Sequence, residues 1–259
     1  MDVFVEEGGL TVEYCVTFLI LAVGCGMVAV SLWELFGWVG VLPAYASVSF
    51  LVLAAAYAGA GPRLLFKQAD GSRSPWAWLL LAPYFALNAI TFRLYCLLSR
   101  EPAYAQAAPN VFFGRWLSAR EHQEAGWAGI LDLAAEFPAV WRPARYRSLP
   151  VLDGTAPSEQ ELRSAIAWIH EAITAGPVYV HCGLGHGRSV CVVIAYLLSV
   201  GLVRTVAEGV RLLRSVRPGV RLHPSQRRLL RQFESEAPGH DAQLAASAEN
   251  KDGNASRCS

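Results

Sequence analysis

The chain has 259 residues, 54% of them hydrophobic, and 22 Lys/Arg against 21 Asp/Glu give a formal net charge of +1. Five Lys/Arg and six Asp/Glu fall up to Arg100, seventeen and fifteen after it, so both parts are nearly neutral and net charge gives no sign of nucleic acid as a partner. Six cysteines, at positions 15, 25, 96, 182, 191 and 258, show neither metal-ligand spacing nor the pattern of a disulfide framework.

Three uncharged runs open the chain: Tyr14 to Trp33, Leu35 to Pro62 and Ser74 to Phe92. A helix rises about 1.5 Å per residue, so roughly 20 residues cross a hydrocarbon layer of about 30 Å. The first two runs are long enough; the third is marginal. Trp33, Trp38, Trp76 and Trp78 stand near the run ends, where indoles favour a membrane interface. Asp2, Glu6, Glu7 and Glu13 precede the first run with no Lys or Arg, unlike the basic leader of a secretory signal. The expectation is a retained membrane anchor over residues 1–98, with two or three transmembrane helices.

Ser99 to Asn110 is polar and proline-bearing, and is expected to be a linker. An α/β domain is expected over residues 111–236. "NVFFGRW", "GILDLAAEF" and "YRSLPVLD" hold short apolar runs suited to buried strands. A helix follows, with Ser158 and Glu161 at capping-box spacing, a stripe of Leu162, Ile166, Ile169 and Ile173, and Gly176 and Pro177 as its stop. "VYVH" is the next strand, and "SVCVVIAYLLSV" reads as a helix buried on all sides. Amphipathic helices are expected at about Thr205 to Val216 and Pro224 to Glu234. Residues 237–259 have a disordered composition.

The stretch "VHCGLGHGRS", Val180 to Ser189, carries the chemistry. A strand that delivers a glycine-rich loop to a helix N-terminus makes an anion site, because unpaired amides and the helix dipole both favour negative charge. The Gly-Lys-Ser/Thr of a nucleotide-binding loop is absent; Cys182 and Arg188 are present instead. Amides of Gly183, Leu184, Gly185, His186, Gly187 and Arg188 can surround a phosphate while the Arg188 guanidinium binds two of its oxygens. The same surroundings favour a thiolate at Cys182, since helix termini and cations lower a thiol from about 8.5 to about 3.5–7.5. A thiolate beneath a phosphate is placed for in-line attack. Ser189 can then hydrogen-bond the sulfur as it leaves, and His181 is expected to orient the loop. A leaving oxygen needs a proton, and Asp153 in the mobile-looking loop "LPVLDGTAPS" is the expected acid, ahead of Asp132 and Glu136. Crowding of His181, Cys182 and His186 on one tight loop disfavours a metal set.

These features together resemble the cysteine-based protein tyrosine phosphatase superfamily in its dual-specificity branch, over roughly Asn110 to Glu234. They are the strand-His-Cys-x5-Arg-Ser loop, an aspartate 29 residues before the cysteine, and "RPGVRLHPSQRRLLRQF". The resemblance implies Cys182 as nucleophile, Arg188 as phosphate ligand, Asp153 as general acid, and no metal or cofactor. It implies hydrolysis of phosphotyrosine, phosphoserine or phosphothreonine. A phosphoinositide or phosphatidylglycerophosphate is the alternative, and "LDGTAPSEQEL" resembles the acid loop of phosphatidylglycerophosphate phosphatases. A phosphate-binding module without turnover and a sulfurtransferase are the readings from other classes.

Three placements stay open. His186 either adds charge to the pocket or accommodates a turn. Arg204 to Arg231 carries eight arginines and one acid, Glu208, and forms either a solvated helical face or a face held against anionic lipid. Arg63, Lys67 and Arg73 mark the loop after the second run as cytoplasmic, and thiol chemistry favours the same side for the catalytic domain. Three full crossings cannot satisfy both, so the third run lies in the interface or re-enters, unless the charge bias is overridden. Cys191, His170 and His223 read as packing or surface residues.

Overall fold

The computed structural model describes residues 9–236; the tail from Ala237, with Asn254 and Cys258, lies outside them, as do Asp2, Glu6 and Glu7. The first uncharged run falls inside α1 (Gly9–Phe36). The chain turns over through residues 37–40 and returns as α2 (Val41–Ala55), which ends in a wide turn over residues 56–60. Gly40 lets the helices meet, for a Cβ there would stand 2.5 Å from the carbonyl oxygen of Ala29. Ser47 Oγ donates to Ala22 O across the hairpin at 2.6 Å. Its outer surface is apolar, with Val16, Leu19, Ile20, Val23, Met27 and Val30 all exposed. Thr11–Ala60 and Pro75–Leu98 are both long and apolar enough to cross a membrane.

The third run forms α3 (Pro75–Leu98), started by Ser74, whose side chain accepts from Ala77 N. It bends at Leu81 (φ −108°, ψ 15°), two residues before Pro83. Pro83 has no N–H for the carbonyl of Leu79, and the Tyr45 hydroxyl on α2 donates to that carbonyl instead. Both ends of α3 are fastened to the α/β domain. Arg73, just ahead of it, donates to Ala135 O, and near its far end Phe92 packs on Trp116 and Phe137 with ring centroids 5.6 and 4.9 Å away.

The α/β domain has a mixed five-stranded sheet flanked by helices, its strands lying side by side in the order 104–108, 111–114, 178–181, 129–134 and 145–151. Residues expected to be linker supply an edge strand, β1 (Tyr104–Ala108), antiparallel to β2 (Val111–Gly114) with Tyr104 opposite Gly114. Its outward side chains stay accessible while Ala108 is buried; pairing with β2, rather than intrinsic strand propensity, makes this alanine-rich segment a strand. β3 (Gly129–Ala134), β4 (Arg145–Val151) and β5 (Val178–His181) run parallel to β2, with Val111 opposite Val178 and Leu131 opposite Val180. Every residue of β3 and β5 is buried, as strands covered on both faces must be.

A short helix between β2 and β3, α4 (Ala119–Ala125), is absent from the sequence reading; its capping box is Ser118 with Glu121. α5 (Glu159–Ala172) starts at the expected box of Ser158 with Glu161 and buries Leu162, Ile166 and Ile169. α6 (Arg188–Ser199) is buried from Arg188 to Leu198, which its unbroken apolar sequence requires. α7 (Val206–Val216) and α8 (Pro224–Glu236) close the fold, with Thr205 capping α7.

Candidate active site

The C-terminal ends of β2, β3, β4 and β5 point the same way, and in such sheets that edge is where ligands bind. β5 ends at His181, Cys182 follows, and α6 begins at Arg188. The loop between them is tied from outside. Trp116 N donates to Gly183 O (2.8 Å), Arg217 Nη2 to Leu184 O (3.0 Å) and Arg221 N to His186 O (2.9 Å). With those carbonyls turned outward, Gly185 N donates to Cys182 Sγ at 3.3 Å, and Ser189 Oγ lies 3.5 Å from the same sulfur. Cys182 is 2% exposed, at the floor of this cradle. Gly185 has φ +77°, and a Cβ on it would run into the backbone of Gly114. Gly185→Ala is therefore expected to weaken binding of inorganic phosphate or vanadate by about ten-fold or more, measured by titration, since strain of about 1 kcal/mol at positive φ adds to that clash.

Arg188, also 2% exposed, reaches across the strand ends. Nη1 donates to Glu136 Oε2 (2.7 Å) and Val151 O (2.8 Å); Nη2 pairs with Glu136 Oε1 (2.5 Å) and Asp153 Oδ1 (2.9 Å). Burial alone would discourage the charge, but Glu136 and Asp153 outweigh it and hold the guanidinium protonated. Nε is buried without a partner. Glu136, weighed above as a proton donor, is thus the clamp that fixes the arginine. Asp153 follows β4, with its side chain 53% exposed, and the hairpin holds it on two sides. Tyr14 OH donates to Oδ2 at 3.4 Å, Tyr57 OH donates to the Asp153 carbonyl at 3.2 Å, and the Tyr14 ring covers Gly154. The two tyrosine rings stack with centroids 5.0 Å apart.

His181 is buried, with Nδ1 3.2 Å from Cys182 O and Nε2 3.8 Å from Asp132 Oδ1. Desolvation lowers its pKa. Asp132 is fully buried and pairs with Lys67 from the loop between α2 and α3. Lys67 Nζ donates to Asp132 Oδ2 (2.6 Å) and Ala134 O (2.5 Å), and Tyr146 OH donates to the same carboxylate (2.6 Å). Burial would raise the Asp132 carboxyl, yet Lys67 and His181 bring it below the ordinary range. Burial also pulls the Lys67 amine down. Cys191 packs inside α6, where burial pushes its thiol up to about 12.

His186 turns away from the sulfur and meets Glu101 Oε2 at 2.6 Å and Tyr95 OH at 3.2 Å. Leu184 is partly exposed. Burial would raise the Glu101 carboxyl, but the bond to His186, the amide of Gly219 and the charge of Arg217 set it below the ordinary range. Glu101 stands in the expected linker, so that segment also braces the loop. The arginine-rich segment is not one face: Arg217 is completely buried and donates to Leu184 O and Pro102 O. His223 packs beside Gly187, and Gln226 donates to Thr155 O at 2.8 Å.

Cys182, Arg188, Asp153 and Ser189 thus come together at one edge of the sheet. Sequence reasoning missed Tyr14, Tyr57, Lys67, Glu101, Arg217 and Gln226 as parts of this region. Lys67 carries a signal as a lysine beside long apolar runs, and Arg217 and Gln226 lie in the stretch "RPGVRLHPSQRRLLRQF", but neither signal points to the contact each side chain makes.

The pattern of the dual specificity phosphatase catalytic domain matches residues 116–236. The chain is 43% identical over 79 residues to the phosphatidylglycerophosphate phosphatase PTPMT2 of Arabidopsis thaliana, covering 30% of this chain and 34% of that protein. It is 30% identical over 123 residues to Dual specificity protein phosphatase 2 of Homo sapiens, covering 41% and 37%. The chain therefore spans about a third of the length of these curated relatives. The crystal structure of Tk-PTP in its active form matches with a TM-score of 0.48 and 27% identity, over 52% of this chain and 98% of that one. Residues 116–236 are a dual specificity phosphatase catalytic domain of the cysteine-based protein tyrosine phosphatase superfamily.

Proposed function

We propose that the protein is a membrane-anchored phosphomonoesterase that works through a phosphocysteine on Cys182 and takes phosphorylated lipid at the bilayer surface. In the first step Cys182 Sγ bonds to phosphorus as the P–O bond to the leaving group breaks, and Asp153 gives its proton to that oxygen. In the second, water bonds to phosphorus, the S–P bond breaks with Ser189 donating to the sulfur, and the Asp153 carboxylate takes the water's proton. Inorganic phosphate leaves. Amides of residues 183–188 and Arg188 neutralise the equatorial oxygens throughout. Glu136 and Val151 keep Nη1, so the incoming phosphate meets Nε and Nη2. It displaces Asp153 from Nη2, freeing that carboxyl to serve the leaving oxygen. His181 orients the loop through Cys182 O.

The observation that carries the lipid reading is the pair of contacts from Tyr14 and Tyr57 to Asp153. The hairpin leaves the domain at the acid loop itself, so an anchored α1–α2 pair sets the catalytic mouth at headgroup depth. Attachment of α3 by both ends supports two crossings, by α1 and α2, with α3 lying in the interface. Lys67 and Arg73 contact the domain, which supports placing their loop and the catalytic domain on one side, the cytoplasmic one. A phosphotyrosine, phosphoserine or phosphothreonine protein is the second reading, supported by the likeness to human Dual specificity protein phosphatase 2.

Turnover of a phosphotyrosine peptide, a phosphoinositide and phosphatidylglycerophosphate by the full chain in vesicles tests the choice; preference for the peptide would overturn the lipid reading. On the same chain, Asp153→Asn is expected to slow alkyl phosphates by about 10²–10⁴-fold and p-nitrophenyl phosphate far less, because its leaving group needs no proton. Equal losses on both would remove Asp153 from the acid role.

A further inference from the structure

The hairpin reaches the acid loop with two hydroxyls whose aim is fixed. Tyr57 is buried, and its ring stacks on Tyr14 and on Phe18 with centroids 5.0 and 5.6 Å away, so neither tyrosine ring can swing freely. The loop they meet is covered by the hairpin on both sides of the acid. Leu152, the residue before Asp153, is buried in one apolar cluster with Tyr57, Leu53, Ala56 and Leu65. Gly154, the residue after it, has φ +74°, and a Cβ there would stand 2.5 Å from Tyr14 Cε2. Gln226 Nε2 closes the loop from α8 by donating to Thr155 O at 2.8 Å, and Thr155 N donates to Leu152 O at 3.2 Å.

Asp153 itself has three partners, and the reaction removes one. Oδ1 is paired with Arg188 Nη2 at 2.9 Å, and in the proposed reaction an incoming phosphate takes that nitrogen. Tyr14 OH on Oδ2 (3.4 Å) and Tyr57 OH on the Asp153 carbonyl (3.2 Å) then remain. We propose that Tyr14 and Tyr57 are positioning residues for proton transfer: Tyr57 holds the acid loop over the phosphate once Arg188 is withdrawn, and Tyr14 selects the carboxyl oxygen that carries the proton. The two oxygens of a carboxyl exchange by rotation until a partner distinguishes them, and a protonated carboxyl has one donor and keeps an acceptor. A hydroxyl donating to Oδ2 makes that oxygen the acceptor. The proton therefore sits on Oδ1, the atom that faces Arg188 and the bound phosphate. Oδ1 gives it to the leaving oxygen in the first step and takes one from water in the second, while Oδ2 stays with Tyr14. Catalytic hydrogen bonds are commonly long in a resting site and shorten in the reacting complex, as 3.4 Å here requires. This inference rests on the phosphomonoesterase reading with Asp153 as its acid, and makes the anchor hairpin part of the proton-transfer apparatus.

The test compares the full chain in detergent with Tyr14→Phe, Tyr57→Phe and the two together, each variant keeping its ring and so its stacking. Phenyl phosphate, whose leaving oxygen needs a proton, and p-nitrophenyl phosphate, whose leaving group needs it far less, are the substrates. The double variant is expected to lose about ten-fold or more in kcat on phenyl phosphate with KM little changed, and markedly less on p-nitrophenyl phosphate. In a chain carrying Asp153→Asn the same two substitutions are expected to cost nothing further, because groups that act as one unit are not additive. Equal losses on both substrates, no loss on phenyl phosphate, or a loss that persists beside Asp153→Asn would overturn the positioning role. Amide hydrogen exchange over residues 152–155 is expected to quicken by about ten-fold in the double variant, with β3 and β5 unchanged. Unchanged exchange in the loop, or faster exchange throughout the domain, would overturn the role as well. Failure of the underlying reading looks different. Absence of p-nitrophenyl phosphate hydrolysis by the parent, or equal losses on both substrates from Asp153→Asn alone, would remove the acid and with it the proton placement by Tyr14, while the exchange still decides whether the hydroxyls hold the loop.

Discussion

Cys182→Ser is expected to lower turnover of any phosphomonoester by at least about 10⁴-fold while leaving inorganic phosphate or vanadate bound. The two halves of the result come from different atoms. Attack requires the sulfur, which sits under the loop with Gly185 N at 3.3 Å and Ser189 Oγ at 3.5 Å. Binding requires the loop amides and Arg188, which is held by Glu136 and Val151 and touches no part of Cys182 in doing so. A serine fills nearly the same volume, so the tethers from Trp116, Arg217 and Arg221 to the loop carbonyls persist. Single-turnover kinetics and anion titration on the same preparation measure both halves. Turnover within ten-fold of the parent would remove the nucleophile assignment, and loss of anion binding together with turnover would show that the serine had collapsed the loop.

Lys67→Met is expected to destabilise the whole chain by about 3–5 kcal/mol, because it strands a fully buried carboxylate. Asp132 keeps Tyr146 OH and the amide of Ala134, but neither carries a charge to balance it. Chemical denaturation in detergent, followed by tryptophan fluorescence, measures the effect. Adding Asp132→Asn to Lys67→Met should recover much of the loss, since the remaining amide needs hydrogen bonds and no counter-charge. A double variant no more stable than the single one would mean that Lys67 acts by packing and not by pairing. A fragment starting near residue 100 lacks the lysine altogether, and the same argument predicts that it is less stable than the domain within the intact protein.

The strand, loop and helix around Cys182 are the most legible part of the sequence because their signals are local. Cys182, Arg188 and Ser189 lie within eight residues, and strand, loop and helix follow one another with no long-range contact required to recognise them. The helix capped by Ser158 and Glu161 was legible for the same reason. What escaped depends on partners far away in the chain. Tyr104–Ala108 has no apolar pattern of its own and becomes a strand because β2 lies beside it. Glu136 reads as any acid after a strand until Arg188 is seen to reach it. Arg217, one of eight arginines in a run, is set apart by its burial under Leu184, and Lys67 by a carboxylate 65 residues later. The third apolar run looked like a marginal crossing. Composition does not reveal that its ends are fastened to one domain, while Pro83 and the hydroxyl of Tyr45 make its bend.

The strand order has a consequence for biosynthesis. β5 is last in sequence among the strands but sits between β2 and β3, so the two flanking parts of the sheet cannot join until residues 178–181 have been made. The thiol is the very next residue. During translation it emerges with the strand that locks the sheet together, and its cradle forms only when that insertion and the following helix are complete. A stalled or prematurely terminated chain ending before Arg188 therefore lacks the helix against which the loop after Cys182 closes.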